Sequence, residues 1–193
     1  MRLSKLSLAL SAGSVSVLIL GACQTQPVNV HDEWTNQSAY REAESIAADS
    51  VAGLEDFPGF SARTWDEDYC GEGWDEKEPV EGYTKPGLTY TFGEEASQDP
   101  NVRTAYPDML EEHWKELGHE VERRESEGGD NVTVIGTRDD GMNMMYQVAS
   151  IATLQVWVDE SYCVEFTGPV DPTEPLGEGI DADSDDIDLE GWW

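Results

Sequence analysis

The stretch Asn131–Ala149, "NVTVIGTRDDGMNMMYQVA", decides the fold. Two strand-like runs, Asn131–Arg138 and Met142–Ala149, are separated by Asp140-Gly141, a pair that tolerates the positive φ angles of a tight hairpin turn. The spacing predicts two antiparallel strands. Downstream, Leu154 to about Phe166 reads as a further strand, with Leu154, Val156 and Val158 on one face and Gln155, Trp157 and Asp159 on the other. One face is then core and the other more exposed. Upstream, Glu120–Arg124 reads as a strand, preceded by a helix from about Pro107 to Leu117 that buries Leu110, Trp114 and Leu117 and ends at Gly118. Asp99-Pro100 is a helix-start signature, but a proline inside a helix removes a bond, so Pro107 predicts a short first turn before the main helix.

Further toward the N-terminus, "LTYTF" (Leu88–Phe92) alternates as a half-buried strand does, and "FSARTW" (Phe60–Trp65) is a second strand candidate. The acidic, glycine-rich segment around Cys70 reads as irregular. Ala39, Ala43, Ile46, Ala47, Val51 and Leu54 recur at near-helical spacing and predict an opening helix, ended by Phe57–Gly59. Helix, strands, helix and a run of antiparallel strands predict an α+β fold, an antiparallel sheet with two helices packed on one face, in one domain over residues 37–168.

The N-terminus carries a different signal. Arg2 and Lys5 precede an apolar run from Leu6 to Leu20, about 15 residues and interrupted by serines, short for the roughly 20 that a spanning helix needs. It reads as the h-region of a secretory signal over residues 1–22. Leu20-Gly21-Ala22-Cys23 resembles the lipobox of bacterial lipoproteins, in which a leucine and two small residues precede the cysteine. That resemblance implies cleavage after Ala22 and a diacylglyceryl group on Cys23, holding the chain on the extracytoplasmic face of the cell membrane. Without the lipobox, the same small residues would suit an ordinary secretory cleavage site. Residues 23–36, polar with Pro27, read as a lipidated N-terminus and tether. The two remaining cysteines and the segment "MLEEHWKELGHEV" give the domain the general look of small actinobacterial lipoproteins, most of whose functions are unassigned.

Of three cysteines, Cys23 takes the lipid, and the remainder, Cys70 and Cys163, is even. In an oxidising exterior this argues for a disulfide, with two free thiols or a metal site as alternatives. The bond would close a loop of about 94 residues and contribute roughly 4 to 5 kcal/mol. The formal net charge of −30 disfavours nucleic acid and anionic bilayers as partners of the domain. It suits solubility, a salty exterior, or a cationic partner. Beyond Pro169 the chain has no basic residue and few apolar ones, so residues 169–193 read as a disordered acidic tail, with Trp192-Trp193 its odd feature.

Catalytic spacings are missing: there is no G-x-S-x-G, no H-E-x-x-H and no Walker loop. Asp181, Asp183 and Asp185 alternate as calcium ligands do, but the glycine and glutamate of an EF-hand loop are replaced by Asp186 and Trp192. No metal, cofactor or catalytic residue is assigned. Among seven tryptophans, Trp65 and Trp114 read as core, while Trp74 and Trp157 are the candidates for a surface binding platform. The chain reads as a membrane-anchored, non-catalytic binding or interaction module, its partners being the bilayer through Cys23 and an envelope protein or small ligand. The alternatives are an envelope hydrolase using carboxylates, which needs an acidic pair in a cleft, and an apolar-ligand carrier, which needs a cavity between helices and sheet.

Overall fold

A computed structural model of the chain describes residues 29–72, 78–171 and 173–177. In chain order the elements are β1 (Val30–Thr35), α1 (Asn36–Ala52), β2 (Ala62–Glu72), β3 (Glu78–Thr91), α2 (Tyr106–Glu116), β4 (Glu120–Glu125), β5 (Val132–Thr137), β6 (Met142–Val148), β7 (Ala152–Val158) and β8 (Cys163–Glu165). Eight strands form one sheet in the order β1-β8-β3-β7-β6-β5-β4, with β2 on the other edge of β3. All pairs are antiparallel except β1 with β8. Two helices cover one face, so the predicted α+β architecture holds, with a mixed rather than purely antiparallel sheet. Among the described residues no helix is long and apolar enough to cross a membrane.

The hairpin at the centre of the sequence forms in the expected place. Its loop has three residues, Asp139 to Gly141, closed by the Arg138 N–H to the Met142 carbonyl at 3.0 Å, and Gly141 takes φ +84°. α2 ends as Gly118 predicts: with φ +86° it lets its own N–H reach the Lys115 carbonyl and the His119 N–H reach Trp114. Ahead of α2, Asn101–Ala105 winds as a π-helical turn, and Pro107 sits in the first turn of the helix, where its missing N–H costs little.

Strand alternation sorts the sheet into two faces. Leu88, Tyr90, Leu154, Val156, Met144 and Tyr146 point toward the helices and are buried. Trp114 of α2 comes so close to β5 that a Cβ on Gly136 would stand 3.1 Å from its ring. Trp65 and Trp114 are both core, as expected.

Five local expectations are corrected. Leu117, expected on the buried face of α2, is 51% exposed, because the helix ends at Glu116 and Leu117 caps it. Val30–Thr35, placed in the tether, is a strand, because the Asn29 carbonyl and β1 pair with Cys163 and its neighbours. The segment around Cys70 is not irregular up to Glu72, since β2 stays paired to β3 through a register shift between Tyr69 and Gly71. The long strand expected from Leu154 breaks into β7 and β8, where the Asp159 carboxylate accepts the Ser161 N–H at 2.9 Å and its carbonyl accepts the Tyr162 N–H. Lastly, the described part of the segment read as a disordered tail packs on the domain. Val170 is buried and Leu176 lies against the core.

Cys70 and Cys163 are disulfide-bonded, joining β2 to β8 with 5.8 Å between Cα atoms at a sequence separation of 93. Replacing both with serine should lower stability by roughly 4 kcal/mol, from the loop entropy returned to the unfolded chain. Urea unfolding with and without reductant checks this. Ending the chain after Gly168 should cost on the order of 1 to 3 kcal/mol by stripping buried donors of their acceptors. Ending it after Gly177 should cost much less, because every contact described for the segment is kept.

Candidate binding surfaces

The face of the sheet away from the helices carries the first candidate surface. By alternation it presents Asp66 and Asp68 from β2, Lys85 and Thr89 from β3, Gln155 and Trp157 from β7, and Met145 and Ile135 from β6 and β5. These side chains line a groove of about 470 Å³, with Glu160 at its end. Trp157 is paired across the sheet with Gly87 on one side and Asn143 on the other. Glycine at position 87 leaves the indole a flank without a side chain. Asp66 and Asp68 stand two residues apart on the same face, and the carboxyl of Asp66 is raised above its ordinary value, first by partial burial and then by the charge of Asp68. Two carboxylates that repel each other gain from a cation placed between or beside them.

The second candidate is a cleft of about 540 Å³ between α1, the end of α2 and the β5–β6 loop. Glu42, Asp49, Asp139, Asp140, His119 and Arg138 line it. Here a cleft with several carboxylates does exist, but most are held by partners. Arg138 bonds Glu42 at 2.9 Å and also Asp140, while Asp49 bonds His113 Nε2 at 3.0 Å. Burial and the nearby Arg138 push the His119 imidazole below its ordinary value, favouring its neutral form. Ser50 accepts the Trp114 indole N–H at 3.1 Å and packs beneath the cleft. This is an ion-pair network that closes the end of the sandwich, and no nucleophile in it is hydrogen-bonded to a base. His113 is half-buried beside Leu110 and pairs only with Asp49 among the described residues.

The space between helices and sheet is filled by large side chains, among them Trp65, Tyr90, Phe92, Trp114, Met144 and Tyr146. An apolar carrier therefore gains no support there. Of the sequence candidates, Trp157 stands on the open face. Leu20, Gly21, Ala22, Cys23 and Trp74 lie outside the described residues. Among the described residues, no three His, Cys, Asp or Glu side chains come together as metal ligands. Asp66 and Asp68 escape sequence reasoning because the chain is so rich in acids that no pair stands out. The signal that could find them is strand alternation through β2, a strand that the sequence marks only as far as Trp65.

No family model matches the chain, and no curated protein matches it. Among solved structures it is similar to LppA from Mycobacterium tuberculosis, described as a candidate lipoprotein, over 76% of this chain and 89% of that one, at 15% identity and a TM-score of 0.38.

Trp157 stands on the open face of the sheet, outside the core. Trp157→Ala should cost roughly 1 kcal/mol, against about 3 to 5 kcal/mol for Trp114→Ala. Paired denaturant titrations of the two variants measure the difference.

Proposed function

We propose that the protein is an extracytoplasmic lipoprotein, anchored through Cys23, that binds a positively charged partner of the cell envelope on the open face of its sheet. The observation that carries the reading is the groove that Trp157 shares with Met145, Ile135 and the Asp66-Asp68 pair, on the sheet face away from the helices. An indole and carboxylates together suit a cationic segment, because the ring face attracts positive charge and the carboxylates supply acceptors. The overall charge of −30 favours encounter with such a partner.

The lipobox and the Cys70–Cys163 bond support the address. The first supplies a thiol for lipidation, and the second is a bond typical of exported chains. Anchoring raises the local concentration of a weak binder at the membrane surface. The hydrolase alternative has the acidic cleft in its favour and the paired state of most of its carboxylates against it.

Cys23→Ser should abolish acylation and release the mature chain from the membrane, which cell fractionation reads directly. Recovery of a mature, membrane-retained Cys23→Ser chain overturns the anchor. Partner binding should weaken as salt rises, since screening acts on exposed charges. It should also be lost in Asp66→Asn/Asp68→Asn at an unchanged melting temperature, and in Trp157→Ala with no more than the loss of roughly 1 kcal/mol expected above. A partner held equally by these variants places the binding surface elsewhere.

A further inference from the structure

Toward the far end of the β2–β3 pair lies a second pocket, which shares Asp68 with the Trp157 groove. Its volume is about 200 Å³, and Tyr69, Val80, Tyr83 and Phe166 form its walls. Glu67 also lines it, on the same face of β2 as Arg63 and Trp65. Both carboxylate oxygens of Glu67 are buried, and neither has a hydrogen-bond partner of ordinary geometry. Burial raises this carboxyl above its ordinary value, and Asn36 and Thr84 offset only part of the rise. Thr84 Oγ1 gives its one hydrogen to the Asp68 carbonyl at 2.7 Å, and Asn36 Nδ2 gives one of its two to the Gly168 carbonyl at 2.9 Å, which leaves a single N–H for the two Glu67 oxygens.

An acid sealed away with too few donors destabilises a fold unless something supplies more. The geometry points to a binding site for a small organic ammonium ion, with its N–H groups directed to Glu67 and its carbon body against the aromatic walls. Aromatic rings attract a cation on their faces, and charge-assisted N–H bonds are what the carboxylate lacks. Asp68 and Glu81 border the same pocket and add negative charge. A neutral molecule of the same shape leaves Glu67 unpaired, and an anion is repelled. The oxygens are shielded in the free protein, so entry needs an adjustment of the wall, where Tyr69 is 38% exposed.

The test uses the full chain, titrated with propylammonium chloride and, in parallel, with 1-propanol as its neutral twin. Propylammonium should bind by calorimetry and raise the melting temperature, and 1-propanol at equal concentration should do neither. Glu67→Gln should weaken propylammonium binding about tenfold or more. Without ligand it should melt at or above the wild-type temperature, because a buried unpaired charge has been removed. Tyr83→Leu, which keeps an apolar wall without the ring, should weaken binding several-fold. The site is overturned if propylammonium and 1-propanol act alike, if neither binds, or if Glu67→Gln melts lower or fails to fold, which makes Glu67 a structural residue.

Discussion

The buried pair of Arg63 and Glu44 is the constraint around which the rest of the domain is arranged. Arg63, on β2, is 2% exposed and Glu44, on α1, is 8% exposed, and they meet at 2.8 Å. The second oxygen of Glu44 accepts the Tyr90 hydroxyl of β3 at 2.7 Å. Tyr90 in turn accepts the Leu176 N–H at 3.0 Å, and Arg63 reaches the Thr173 carbonyl at 2.9 Å. One helix, two strands and the segment after β8 thus converge on a single charge-assisted network. Burial holds the Tyr90 hydroxyl far above its ordinary pKa, so it stays a donor to Glu44. Removing one partner of such a pair costs about 3 to 5 kcal/mol, yet replacing both with apolar groups is often neutral. The network's contribution is therefore to specificity. A one-residue slip of β2 would turn Arg63 to the open face and strand Glu44 in the core.

Beside that network, the disulfide fixes the other end of β2. Cys70 and Cys163 tie the edge strand to β8, on the far side of β3. The two constraints keep β2 and β3 paired along a length that the helices do not match. Among the described residues, the sheet therefore presents two open surfaces: the face away from the helices, with Trp157, and the far end of the β2–β3 pair, with Glu67. Both are lined by aromatic side chains and carboxylates, and both follow from the same mismatch between a large sheet and two short helices. At the opposite end, Arg138, Glu42 and Asp140 close the fold with charge where apolar residues run out.

Periodicity made the elements legible from sequence. The α1 stripe, the β5–β6 hairpin and the Gly118 stop all stand where spacing and turn chemistry put them, because each is decided by neighbours a few residues away. The alternation that sent Leu154, Val156 and Val158 inward also sent Trp157 outward, so this part of the candidate groove is legible in the order of residues along β7. The acidic half of the groove is not. Asp66 and Asp68 become a pair facing Trp157 only when β2 continues past Trp65 and lies beside β3, which is a long-range pairing.

By itself, the sequence determined the class of fold, the even pair of cysteines in the domain and the side of β7 on which Trp157 stands. These rest on local periods, turn residues and counts. Tertiary structure alone decided that Val30–Thr35 is a strand, that Val170 and Leu176 pack on the core, and that Glu67 is left short of partners beside an aromatic pocket. In each case the deciding partner lies far away in the chain: Cys163 for β1, Arg63 and Tyr90 for Thr173 and Leu176, and Phe166 for the pocket of Glu67. A polar segment or an acidic residue looks the same in sequence whether it is solvated or buried, and only the hydrogen bonds it finds at long range distinguish the two.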